Sequence, residues 1–175
     1  MRGFGPLPAL QRTDLSSPRT TLTILLARLD GSQVGFPAHA VGEVARAVAI
    51  TPLPGAPAII EGTIDLHGRI IPVVDLRHRL GMPAVALAPE QFLVALTAGV
   101  RVIAIRVDDV LDVVDVAEGA LSTAADVSPS LQGLAGIAGT AEGLVVVHDI
   151  ESFLTQAEGD ALDRLAVANA ERVPA

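Results

Sequence analysis

Four histidines, His39, His67, His78 and His148, are the side chains able to exchange protons or bind a metal near neutral pH. No two stand as His-x-His on a strand or four apart on a helix, so their spacing supports no metal site. His78 sits between Arg77 and Arg79 and reads as surface; His148, beside Asp149, reads as a hydrogen-bonded structural residue. Asp108, Asp109, Asp112 and Asp115 crowd one stretch, where a calcium loop or a general acid pair would draw its carboxylates. Valines and Leu111 interrupt them, as on a strand with one wet face, and the glycine and terminal Glu of a calcium loop are missing. No Gly-x-Ser-x-Gly turn presents a nucleophile, and no glycine-rich strand-to-helix loop cradles a phosphate. The chain has no cysteine and no lysine, which excludes disulfides, thiolate chemistry and Schiff bases. No catalytic residue, metal or cofactor is therefore expected.

The net charge of −8 and only four Phe among the aromatic types argue against nucleic acid, which needs a basic face and stacking rings. All 12 basic residues are Arg, whose planar fork suits carboxylates, so soluble protein partners remain. No apolar run approaches a membrane span. Residues 1–20 carry Pro6, Pro8 and Pro18 without the apolar core of a signal peptide, and read as a disordered tail on a cytoplasmic protein.

A chain of 175 residues can bury roughly 70% of its unfolded surface without staples. Val, Ile and Leu come in short runs punctuated by Gly, Asp-Gly and Pro, the rhythm of a mainly β protein. Leu22–Leu29, Asp30-Gly31 and Val34–Phe36 read as one hairpin, and Phe92–Leu96, a Thr97-Ala98-Gly99 turn and Val100–Ile105 as a second. Each precedes an acidic-aliphatic pair, Glu43-Val44 or Asp109-Val110. Two further hairpins repeat more closely: Gly62 to Asp75 and Gly136 to Asp149 both span 13 positions, with turn glycines Gly68 and Gly143 between. This implies a degenerate duplication, each half supplying two hairpins and a short capped helix, and so two small curled barrels packed together. Asp75 and Asp149 then read as helix caps rather than catalytic acids. Thr51–Pro57 forms a stiff link, and Leu162, Leu165, Ala166 and Asn169 share one face of a C-terminal helix, after a turn holding Phe153 and Leu154. The expected divisions are a tail over 1–20, a two-lobed domain over 21–157, and a helix with tail over 158–175.

The densest signal is Gly62 to Leu76. Two apolar runs flank a His67-Gly68 turn; Pro72 places its strand at an edge or turns that position to solvent; Asp75 opens a short helix ending at Gly81. Here the sequence resembles the CheW-like adaptors of bacterial chemotaxis, whose pattern is Gly-x-x-Asn-x-Arg-Gly, an apolar run with Pro, then Asp-Leu. Gly62, Gly68, Pro72, Asp75 and Leu76 match, whereas Asp65 stands where Asn is usual and His67 where Arg is usual. The likeness extends through Val41-Gly42-Glu43-Val44, the Thr51-Pro52-Leu53-Pro54 link and Val107-Asp108-Asp109-Val110, covering roughly Leu22 to Leu154.

The resemblance implies two five-stranded SH3-like β-barrel lobes around a shared apolar interior, with short helices and a C-terminal helix. It implies a non-enzymatic scaffold that binds the cytoplasmic helical tip of methyl-accepting chemoreceptors and the regulatory domain of a CheA-type histidine kinase, recruited to membrane receptor arrays. Val41, Glu43 and His67 occupy the family's interaction positions, and Arg69 joins them as a nearby guanidinium. Because an imidazole does not reproduce the permanent fork of Arg, a divergent array, such as one for surface sensing or pili, is an alternative. A small-ligand barrel is the alternative of another class; it requires a large enclosed cavity between the lobes, where a scaffold requires a filled interior.

Overall fold

Apolar runs broken by short turns fold back on themselves, and most regular structure in the computed structural model is antiparallel strand. The structure describes residues 20–123, 134–141, 143–152 and 154–170. The expected N-terminal tail, apart from Thr20, lies outside them, as do Phe153 and the tail after Ala170.

In order the elements are β1 (Thr21–Leu29), β2 (Ser32–Pro37), a 3-10 turn (Ala38–Ala40), β3 (Val41–Arg46), β4 (Ile60–Leu66), β5 (Arg69–Val74) and α1 (Leu76–Arg79). They continue with β6 (Phe92–Ala98), β7 (Arg101–Val107), β8 (Asp109–Ala117), a 3-10 turn (Glu118–Ala120), β9 (Leu121–Thr123), β10 (Leu134–Thr140), β11 (Gly143–His148) and α2 (Gln156–Ala170). They build two sheets, ordered β8-β1-β2-β11-β10-β9 and β3-β6-β7-β5-β4. The mainly β, two-lobed architecture is as expected, although the first sheet gains a short sixth strand in β9. The second has a single Thr51–Thr63 bridge in the corresponding place.

The lobes are not successive halves. The duplication exists, but each sheet takes its leading hairpin from the other half: β1–β2 joins β8 to β11, and β6–β7 joins β3 to β5. The exchange is sealed in both sheets by a two-residue parallel ladder, Val34–Val146 and Gly35–Val147 in one, Val73–Ala104 and Val74–Ile105 in the other. Neither half could bury its strands alone, and swapping hairpins lets each cover the other.

This registration corrects two expectations and decides a third. Of the two placements open to Pro72 the edge strand is excluded, since β5 lies between β7 and β4; the ladder to β7 begins at Val73, so the missing N–H is not required there. Gly143 is not a turn centre but pairs with Thr140 as the first residue of β11. The counterpart of Glu43-Val44 is Asp112-Val113, not Asp109-Val110, because Leu26 faces Asp112 as Ala95 faces Glu43, each just past a bulge.

Three apolar clusters follow. Ile24, Leu26, Val116, Ala138, Val145 and Val147 fill the first lobe, and Ile64, Ile71, Val73, Leu93 and Ala104 the second. A larger one, including Leu29, Phe36, Ile59, Leu76, Leu96, Ile103 and Ile105, fills the space between them, and Leu162 of α2 packs into it. His148 is buried with its ring centroid 6.1 Å from that of Phe36. At the start of α2, Thr155 Oγ1 accepts from the Glu158 N–H at 3.2 Å and Glu158 Oε2 accepts from the Thr155 N–H at 2.8 Å. That reciprocal cap explains why α2 starts at Gln156.

Candidate functional site

The β4–β5 tip is shaped by a type I′ turn: Leu66 pairs with Arg69, and both His67 (φ 54°) and Gly68 (φ 81°) take left-handed conformations. Glycine does this without strain and histidine does not, so His67 is held by something more than turn preference. Two bonds do this. Asp65 Oδ1 accepts from the Gly68 N–H at 2.7 Å, bracing the turn from the residue before it. Asn carries the same oxygen, so Asp in the usual Asn position keeps this bond. His67 Nε2 lies 2.9 Å from Glu43 Oε1.

Glu43 comes from β3, which pairs only with β6 and is an edge of the second sheet. The bulge between Val41 and Glu43 bends this edge strand, and the hairpin tip from the opposite edge reaches it. Residues from the two ends of the sheet order thus meet at one spot. The pair is open to solvent, with 76% of the His67 and 39% of the Glu43 side chain exposed.

Val41 is half-buried and packs on the shared core, so it supports the site from beneath. Arg69 is exposed at the head of β5. Sequence reasoning did not single out Val44 and Ile70, exposed aliphatics beside Glu43 and Arg69. The other motif residues sit at the base of the hairpin. Gly62 is buried where a Cβ would overlap the Thr51 carbonyl oxygen, Asp75 Oδ1 accepts from the Arg77 N–H at 2.9 Å, and Leu76 is buried. Asp149 Oδ1 accepts from the Glu151 N–H at 3.1 Å in the second copy.

Among the described residues no three His, Asp or Glu side chains gather as a metal would need. A groove of about 260 Å³ runs past His39, Thr97, Asp149 and Glu151, and one of about 110 Å³ lies beside α2. Both fall below the range of about 300–1,000 Å³ usual for small-molecule sites. No helix among the described residues is long and apolar enough to cross a membrane. What the geometry offers is a firm, mixed polar and apolar surface at the end of a sheet.

Comparison with known proteins agrees. The chain is 27% identical over 144 residues to the chemotaxis protein CheW of Klebsiella aerogenes, covering 81% of this chain and 87% of that one. It is 30% identical over 93 residues to CheW of Rhizobium meliloti, covering 53% and 60% respectively. The crystal structure of the scaffolding protein TtCheW from Thermoanaerobacter tengcongensis superposes with a TM-score of 0.68 at 27% identity, covering 74% of this chain and 89% of that one. The model of the CheW-like domain matches residues 23–158, and the chain belongs to that family.

Proposed function

We propose that the protein is a non-enzymatic signalling scaffold of bacterial chemotaxis type that couples methyl-accepting chemoreceptors to a CheA-type histidine kinase. The observation that carries this reading is the family match over residues 23–158. Its surface at Val44, Glu43, His67, Arg69 and Ile70 suits protein contact, with aliphatic area beside charged groups. The partners are the helical tip of the receptor and the regulatory domain of the kinase, and the protein works in the cytoplasm at receptor arrays. The cluster of buried aliphatic side chains between the lobes favours the scaffold reading over the ligand barrel.

A second reading, service in a divergent array, is favoured by one feature. His67 is turned onto Glu43 of its own chain, so the tip does not offer a partner the free fork that Arg offers.

Calorimetry with the cognate kinase regulatory domain and receptor tip tests the proposal: micromolar binding to both, with none to ATP, is the expected result. Tight ATP binding, or failure to bind either protein, overturns it.

A further inference from the structure

Asp108 is the single residue between β7 of the second sheet and β8 of the first. Its Oδ1 accepts from Arg77 Nη2 at 2.5 Å and from Gln91 Nε2 at 3.0 Å, and its Oδ2 from the Asp30 N–H at 2.8 Å. Its own N–H donates to the Arg28 carbonyl at 2.9 Å. Arg28 and Asp30 belong to the β1–β2 hairpin of the first sheet; Arg77 follows β5 and Gln91 precedes β6, both in the second. Through its carboxylate and its own N–H, Asp108 therefore ties the β1–β2 hairpin to two segments of the second lobe.

The bonds continue into the second lobe. Gln91 Oε1 accepts from Arg106 Nη1 at 2.9 Å, and the Arg106 guanidinium grips Glu61 of β4. The carbonyls of Glu90 and Gln91 accept from Arg46 Nη1 at 3.2 Å and from the Ala47 N–H at 2.9 Å, at the end of β3. The network thus runs from the turn of the first sheet to both strands that carry the candidate site.

Arg77 is 1% exposed, and a guanidinium so buried holds its position only while its charge is answered. The aliphatic cluster that also spans the lobes favours burial but no particular angle. Charge-assisted hydrogen bonds are directional, and they occur here at the crossing point.

We propose that Asp108 is the orientation lock between the two lobes: from the crossing point it fixes the angle at which they pack, and so the spacing of the surfaces each presents. It is a positioning residue that touches no partner. The inference goes beyond the scaffold reading and is tested without any partner, so either can fail alone.

The absence of cysteine makes the measurement direct. Ile70 and Leu144 are exposed at corresponding places on the β4–β5 and β10–β11 hairpins, one in each sheet. Spin labels on Ile70→Cys and Leu144→Cys report the distance between lobes by pulsed dipolar spectroscopy; labels on Val48→Cys and Ile70→Cys report the second lobe alone. Asp108→Ala should at least double the width of the distance distribution between lobes and leave the control pair unchanged. Asp108→Asn, which keeps the shape of the side chain and removes the charge that answers Arg77, should broaden it less, and decides the matter by the same criterion if Asp108→Ala does not fold. A width between lobes equal to that of the parent, or equal broadening in the control pair, overturns the proposal.

Discussion

The β4–β5 and β10–β11 hairpins are one device built twice, and they differ mainly at their tips and just past their caps. At the base of each, a glycine lies where a side chain would strike the neighbouring backbone, at Thr51 for Gly62 and at Ser122 for Gly136. Each ends in an aspartate that caps the next turn. The residue two beyond the cap is buried Arg77 in the first copy and exposed Glu151 in the second. The tip of the first holds His67 against Glu43, whereas Ala141 stands at the corresponding place in the second, opposite no such partner. Where packing leaves one solution the copies agree, and where it leaves freedom they have taken separate tasks.

The contrast between Arg77 and Glu151 should give the largest effect. Arg77→Ala leaves Asp108 without its cation and opens a void in the shared core, and should cost about 3 kcal/mol in urea unfolding, while Glu151→Ala should change stability by no more than about 0.5 kcal/mol. Equal costs would break the comparison. The same network has an acid signature. Burial pushes the Asp108 carboxyl up, but the Asp30 N–H, Gln91 and Arg77 together outweigh this and hold it below its ordinary value. A lowered carboxyl stabilises the fold fully above about pH 4, and that contribution is lost as pH falls further. Glu158, likewise held low by the Thr155 N–H and Arg79 against the effect of burial, follows the same sign. Hydrogen exchange should therefore show α2 and the Asp30 turn losing protection below about pH 4, before the strands within each lobe; simultaneous loss everywhere would contradict it.

Next comes the shared glycine. Gly62→Ala should cost about 3 kcal/mol, because the obstacle is the backbone at Thr51, and Gly136→Ala about 1 kcal/mol, because its approach to Ser122 is looser. Gly139, with nothing near its Cβ position, serves as the control, and its Ala variant should match the parent in denaturant midpoint. The caps come below this. Asp75→Ala and Asp149→Ala should each cost about 1 kcal/mol and leave partner affinity intact. A stable Asp75→Ala variant that binds nothing would make Asp75 a contact residue instead.

Local features were legible in sequence because their causes are local. The Asp30-Gly31 turn, the repeat of 13 positions and both capping aspartates each depend on a few neighbouring residues, and all are found in place, although Asp149 caps a turn where a short helix was expected. The exchange of hairpins was not legible, since Gly35 against Val147 and Ala104 against Val73 are contacts between distant segments with no local signature. For the same reason Asp108 read as one acid on a wet strand and Arg77 as part of a basic turn, although together they form the buried link between lobes. The cap Thr155-Gln-Ala-Glu158 does carry a local signal, a Thr and a Glu three positions apart. At the site, family position singled out Glu43 and His67, while the bond between them depends on the bulge in β3 and the curl of the sheet, which no short pattern encodes.

The smallest stability effect should come from the feature that most separates the two hairpins. A polar pair as exposed as Glu43 and His67 contributes about 0.5 kcal/mol, so a double-mutant cycle with Glu43→Gln and His67→Ala should show weak coupling in unfolding experiments. Binding should respond differently. If a partner carboxylate competes with Glu43 for His67, then Glu43→Gln frees the imidazole and should tighten binding, whereas His67→Ala should weaken it. His67→Glu, which puts like charges together at the tip, should weaken it further, and His67→Arg should strengthen it by supplying a fork able to hold Glu43 and a partner at once. The corresponding substitution at the second tip, Ala141→Arg, should leave affinity for the same partner unchanged. Titrating all five variants against the kinase regulatory domain and the receptor tip ranks them: five equal affinities would remove the β4–β5 tip from the interface, and a response to Ala141→Arg as large as that to His67→Arg would mean that the two tips had never diverged in task.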